Sequence, residues 1–143
     1  MTVKQLSVFV QNVPGRLAEI ADIIAEAGID IRALSLADTT NFGILRIIVD
    51  KPDDALRLLK DRGLSVKCAS VIAVGIDDSP GGFAKAVRTL SDSGVSVEYS
   101  YAFLGRETGR AMVVFRTDND EKALSSLAAG GLAVLGEKDI YKV

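Results

Sequence analysis

Pro14-Gly15 recurs as Pro80-Gly81, and 80 − 14 = 66. At the same offset Leu6, Val8 and Val10 meet Ile72, Val74 and Ile76. Leu17 meets Phe83, Ile24 meets Leu90, and Gly28, Ile31 and Gly43 meet Gly94, Val97 and Gly109. Further on, Gly63-Leu64 matches Gly131-Leu132 at an offset of 68, so the second copy carries a two-residue insertion. A chain whose glycines and apolar positions recur together is one module used twice. Over 143 residues this gives two copies, residues 1–69 and 70–143.

Both copies follow one order of elements. In the first, Leu6, Val8 and Val10 alternate with Gln5, Ser7 and Phe9, the period of a strand. After the corner NVPGRL, the spacing of Leu17, Ile20, Ala21, Ile24 and Ala27 predicts one face of a helix, with Gly28 as its stop. Ile29 to Leu36 is strand-like, DTTNFG is a turn, and ILRIIV is a third strand. Asp53 and Asp54 are expected to cap a short helix bearing Ala55, Leu58 and Leu59, ended by Gly63. A fourth strand begins at Leu64. In the second copy the strands are VIAVGI, VSVEYSYAF and AMVVF. Its helix faces are Phe83, Ala86, Val87, Leu90 and then Ala123, Leu124, Leu127, and the tail DIYKV closes the copy. Val95, Val97, Tyr99, Tyr101 and Phe103 are expected on one side of the longest strand. The fold class is α+β: two ferredoxin-like βαββαβ units with antiparallel sheets.

ILRIIV and AMVVF are apolar on both faces. Helices cover only one face of the antiparallel sheet in a lone unit of this kind, and the other face is then polar. The second face here also calls for burial. The two copies, or two chains, are expected to pack together through their sheets or sheet edges, and a homodimer follows. Only CAS separates the strand-like ends of the copies, so they are not independent beads on a linker.

Composition removes whole classes of chemistry. The chain has no histidine, which excludes Ser-His and Cys-His nucleophile pairs and the commonest zinc ligand. No P-loop lysine follows a glycine-rich turn, and the single Cys68 allows no internal disulfide. Cys68 lies beside Lys67 in the strand-like VKCASVIAV, where a buried structural thiol is the usual state. The net charge of −2 and the absence of a basic run leave little counterion release for a nucleic-acid backbone. No segment reads as a signal peptide or a membrane span. A cytoplasmic protein without cofactor, metal, nucleic-acid or membrane partner is expected.

The corner itself has chemistry to offer. Proline fixes φ and lacks an N–H, which suits the first turn of a helix, and Gly15 permits close approach to the backbone. The early N–H groups at Gly15, Arg16 and Leu17 lack partners within the helix and form a site for a carboxylate. Asn12 donates and accepts, so it can take either end of an amino acid, whereas ionised Asp78 only accepts and favours an ammonium. The same residues also serve a plain strand-to-helix turn with Asn12 or Asp78 as its cap.

The corner, the strand order and the segment after the helix together resemble the ACT domain. The residues that carry the resemblance are Asn12-Val13-Pro14-Gly15 with Gly28-Ile29-Asp30-Ile31, and Asp78-Ser79-Pro80-Gly81 with Gly94-Val95-Ser96-Val97. It spans essentially the full chain, as a tandem pair with no attached enzyme domain. The resemblance implies a regulatory protein without catalytic activity that binds an amino acid effector at interfaces between units. It implies that the loop after the first strand gives backbone amides to the ligand carboxylate. A polar residue at the start of that loop, and the Asn of a Gly-x-Asn-Ile segment on a facing unit, hold the amino end. Those roles fall on Asn12, Val13, Pro14, Gly15, Arg16, Leu17 and Asp30 in the first copy. In the second they fall on Asp78, Pro80, Gly81, Gly82, Phe83 and Ser96. Asp30 stands where the family has Asn and cannot donate, and Ser96 is shorter. The first copy is the better site, and Phe83 either narrows a pocket or packs in the core.

Other readings attach to particular residues. One is an interaction subunit of a biosynthetic enzyme, resembling the small subunit of acetolactate synthase, with a partner metabolic enzyme and no ligand. Another is an acylphosphatase-like enzyme using Arg16 and Asn12, for which the remaining signature is missing. Tyr99, Tyr101 and Phe103 stack bases in an RNA-recognition reading that the charge opposes. Arg106 and Arg110 flank the turn GRETGR and suit either a phosphate contact or a solvated hairpin tip.

Overall fold

Alternation at Leu6, Val8 and Val10 builds β1 (Val3–Gln11), and the computed structural model describes it together with the rest of residues 1–38, 41–105 and 109–141, the side chains of Asp38 and Tyr141 apart. Arg106 and Glu107 of the GRETGR turn lie outside the described residues. After β1 come α1 (Arg16–Glu26), β2 (Ile31–Asp38), β3 (Phe42–Val49) and α2 (Pro52–Asp61). Next are β4 (Val66–Asp77), α3 (Gly82–Asp92), β5 (Val97–Ala102) and β6 (Arg110–Thr117). The series closes with α4 (Asp120–Ala129), β7 (Ala133–Leu135) and α5 (Glu137–Tyr141). The chain divides into a first unit, Lys4–Ala69, and a second, Ser70–Val143 with Met1–Val3. β4 gives its first residues to the first unit and the remainder to the second, so no linker stands between them.

In the first unit the strand order is β2-β3-β1 with the start of β4 beside β1, where the Phe9 N–H donates to the Ser65 carbonyl at 3.0 Å. In the second it is β5-β6-β4-β7. Each is the antiparallel sheet of a βαββαβ unit, covered on one face by its two helices. The first core gathers Leu6, Val8, Ile20, Ile24, Ile47 and Leu59, and the second Ile72, Val74, Leu90, Phe115 and Leu127. The opposite faces are also buried, at Gln5, Ala33 and Ile48 in the first unit and at Val71, Ala73 and Val114 in the second. The two-faced apolar character of ILRIIV and AMVVF foretold that burial, but the burial of Gln5 was not legible.

Register fixes which residues of the two copies correspond. Val10 faces Gly43 on β3, while Ile76 faces Ala111 on β6. The partner of Gly43 in the repeat is therefore Ala111 (111 − 43 = 68), not Gly109, and the two extra residues enter at the β5–β6 connection.

Several expected details differ. α1 buries Ile20, Ile23 and Ile24, while Leu17, Ala21 and Ala27 stay exposed, so its buried stripe is narrower than the apolar spacing suggests. Asp53 and Asp54 lie inside the first turn of α2 with Pro52 at its start and do not cap it. They still favour that end through the helix dipole. A bulge between Val97 and Tyr99 splits the aromatic strand. Val97 packs against the core, whereas Tyr99 and Tyr101 stand on the other face with rings stacked at 6.4 Å. The last strand is AVL, and the tail begins as the helix α5. Cys68 is exposed on β4, not buried.

The stop glycines act as expected. Gly28 has φ 71°, its N–H donates to Ala25 and that of Ile29 to Ile24, the paired bonds that close a helix end. A second repeated lock was not read from sequence. The Asp30 N–H donates to Asp50 Oδ1 at 2.9 Å and the Asp50 N–H returns to the Asp30 carbonyl. Ser96 and Asp118 repeat the pair at 2.9 Å and 3.2 Å. Asp118→Ala is expected to lower stability by about 1 kcal/mol in urea denaturation, the usual worth of such a bond. An unchanged midpoint would mean the lock is idle.

Candidate functional site

Val13-Pro14-Gly15-Arg16 is a tight turn in which the Arg16 N–H donates to the Val13 carbonyl at 3.3 Å. Gly15 at its third position has φ 88° and ψ −15°, the type II geometry that takes proline second and glycine third. Ser79-Pro80-Gly81-Gly82 is the same turn, with Gly81 at φ 92° and the Gly82 N–H on Ser79 at 3.1 Å. Proline therefore stands before the helix, not in its first turn, and the glycine takes the cap position. Neither Asn12 nor Asp78 caps a helix, since neither helix start receives a side-chain bond.

The turn consumes the Arg16 N–H, which the sequence reading had assigned to a ligand. The N–H groups of Gly15, Leu17 and Ala18 have no acceptor among the described residues. With the dipole of the eleven-residue α1 behind them, they make a positive end. Arg16 is turned along the helix to Glu19, Nη1 to Oε2 at 3.2 Å, an exposed pair of small energetic weight.

Beside this turn lies a cavity of about 280 Å³ lined by Val10, Gln11, Asn12, Val13, Leu17, Leu36, Ala37 and Gly43. Asn12, Val13 and Leu17 of the expected site meet there. Leu36, Ala37 and Gly43 were not foreseen. Gly43 keeps the floor low: a methyl group on it would stand 3.2 Å from Leu36 Cδ1 and 3.4 Å from the Ala37 carbonyl oxygen. Its repetition in sequence was a signal, but one misassigned to Gly109. The mouth is apolar and open, with Val13 at 52%, Leu17 at 40% and Leu36 at 51% exposure.

Asp30 is not brought to this cavity. It sits where β2 starts, and β2 runs eight residues before reaching the corner end of the sheet, roughly 23 Å at about 3.3 Å per residue. Its carboxylate is 2.8 Å from Arg32 Nη1. Ser96 is likewise at the far end of the second unit, bonded to Asp118.

The second corner differs in space. A methyl group on Gly82 would lie 2.0 Å from the carbonyl oxygen of Asp77, so the end of β4 closes tightly over the start of α3. Arg16, at the matching position, bears a side chain, so the first corner has room that the second lacks. Phe83 replaces Leu17 and is stacked on Phe115, ring centroids 5.8 Å apart, while still 48% exposed. It is thus a lid on the core and not a buried core residue. Ala111 replaces Gly43 and raises the floor. Among the described residues no cluster of three or more His, Cys, Asp or Glu is placed to hold a metal, and no helix is long and apolar enough to cross a membrane.

Known structures share this fold. Protein BT0572 of Bacteroides thetaiotaomicron superposes with a TM-score of 0.93 at 37% identity, over 100% of this chain and 98% of that one. The ligand-free regulatory subunit of aspartate kinase from Thermus thermophilus has the same fold, with a TM-score of 0.64 at 18% identity over 89% and 91% of the two chains. Aspartate kinase from Synechocystis matches at 0.57 and 19% identity, over 90% of this chain and 25% of its own. No curated protein sequence matches. The profile of the ACT domain pair matches residues 1–143, both copies with their corners and glycine-stopped helices. By that match the chain belongs to the ACT domain pair family.

Proposed function

We propose that this chain is an amino-acid-sensing regulatory module without catalytic activity, and that the effector enters the cavity of the first copy. The observation that carries this reading is the conjunction of the 280 Å³ apolar cavity with Asn12 and the free N–H groups at the start of α1. The volume sits at the low end of small-molecule sites, roughly 300–1,000 Å³, and suits a small ligand with an apolar side chain. The carboxylate lies against the Gly15 and Leu17 amides, Asn12 takes the polar remainder, and Val13, Leu17 and Leu36 receive the side chain. The exposed lip formed by Val13, Leu17, Leu34 and Leu36 is covered by a second copy in a homodimer, which brings an Asp30 to the amino end. Ligand shifts the packing of units only by its differential affinity for the alternatives, and a partner metabolic enzyme reads the result.

A thermal-shift screen against the twenty amino acids tests this. A ligand at about 100 times its dissociation constant adds roughly 2.7 kcal/mol of stability, a clear rise in Tm. Leu17→Phe installs the ring of the second corner and is expected to weaken the responding amino acid about a hundredfold, as overpacking and lost volume do. Asn12→Ala is expected to weaken it about tenfold through the lost polar contact. If no amino acid raises Tm while an enzyme co-purifies, the exposed lip is instead a docking surface for that enzyme, the ligand-free subunit reading.

A further inference from the structure

Pairing of β7 with β4 ends at Gly75 opposite Ala133, and beyond it the flank of β4 opens on another cavity, of about 110 Å³. Asp77, Gly82, Lys85 and Arg110 line it, with the turn Gly131 to Ala133 as one wall. Arg110 lies opposite Asp77 on the β4–β6 ladder but makes no ion pair with it. Its guanidinium crosses β4 instead: a methyl group on Gly75 would stand 2.9 Å from Arg110 Nη2 and 3.6 Å from Cζ. That approach exists because residue 75 has no side chain. Among the described residues, neither Lys85 nor Arg110 is held in an ion pair.

The first copy has nothing similar. By the register, Phe9 stands for Gly75 (75 − 66), Glu19 for Lys85 (85 − 66) and Phe42 for Arg110 (110 − 68). Three matched positions have changed together, from two aromatics and an acid to a glycine and two cations. Duplication of a turn does not produce that pattern, and neither does packing, since the Lys85 and Arg110 side chains are exposed.

We propose that this cavity binds one phosphate group, free or carried on a small metabolite. A planar guanidinium offers a two-pronged fork to a tetrahedral oxyanion, and a lysine on a different element supplies a second charge. The volume equals about four waters at roughly 30 Å³ each, room for a single head group. Asp77 on the wall leaves one positive charge in excess, from two cations and one acid.

Calorimetric titration of the full chain with inorganic phosphate in chloride buffer tests the proposal. Wild type is expected to bind saturably in the millimolar range or tighter. Arg110→Ala and Lys85→Ala are each expected to weaken binding about tenfold, the worth of one charge-assisted bond. Gly75→Ala keeps both charges and displaces the guanidinium, so it is expected to weaken binding as well, which a general charge effect would not do. Asn12→Ala is expected to leave phosphate binding unchanged, separating this site from the amino acid cavity. Tighter binding of glycerol phosphate than of inorganic phosphate assigns the group to a metabolite, and the reverse order assigns it to the free ion. Acetate binding as well as phosphate, no saturation, or wild-type affinity in Arg110→Ala would overturn the proposal.

Discussion

Phe115→Ala is expected to destabilise the chain by about 4 kcal/mol, within the roughly 3–5 kcal/mol range for a buried phenylalanine. Phe115 is wholly buried on β6, opposite Ile72, in the core that includes Leu90 and Leu127. Phe83, stacked on it at 5.8 Å, is half exposed, so Phe115 is the buried member of the pair. Phe83→Ala removes only a half-exposed ring and is expected to cost about 1 kcal/mol, the scale of one aromatic pair. Urea denaturation of both variants measures the difference. Equal losses would show that Phe83 is a core residue after all, and that the second corner is closed by packing more than by its backbone.

Gly82→Ala is expected to cost about 3 kcal/mol, and to lower Tm by roughly 10 °C in a chain of this size. The added methyl meets a backbone carbonyl at 2.0 Å, and a carbonyl in a strand cannot turn aside as a side chain tip can. The matched comparison is Gly15→Ala, where no atom lies within 4 Å and only the left-handed φ of 88° opposes the change. That substitution is expected to cost about 1 kcal/mol. The order Gly82 above Gly15 follows from one corner being closed by its own strand and the other open. The reverse order would mean that the two turns are equally roomy and that the asymmetry between copies lies elsewhere.

The fold was legible because two periodicities and two helix stops were each written twice. Period-two runs at Leu6 to Val10 and Ile72 to Ile76 gave the inner strands, and Gly28, Gly63, Gly94 and Gly131 ended four helices with positive φ. Helix faces were placed less well. Leu17 and Ala21 fit the apolar period of α1 but stay exposed, and a one-dimensional pattern does not show how wide a stripe of the helix the sheet covers. The bulges after Ile31 and Val97 were invisible for a related reason: one extra residue reverses the faces without changing which residue types occur.

Of the candidate site, the turn was legible and the cavity only in part. Pro-Gly announces its own geometry, but Leu36 and Gly43 arrive from β2 and β3 through register, which the sequence offset misjudged by two residues. Gly82 shows the opposite limit. The resemblance gives it a ligand-binding role at the position matching Arg16, while the Asp77 carbonyl that leaves no room there for a side chain arrives through packing, which the sequence does not show.

The proposed function requires that, of two corners sharing one turn, only the first holds an amino acid. Isothermal titration of the amino acid that responds in the screen measures this directly. One ligand per chain is expected, with binding weakened about tenfold in Asn12→Ala and unchanged in Asp78→Ala. Two ligands per chain, equal loss in both variants, or no heat with any of the twenty amino acids would contradict it.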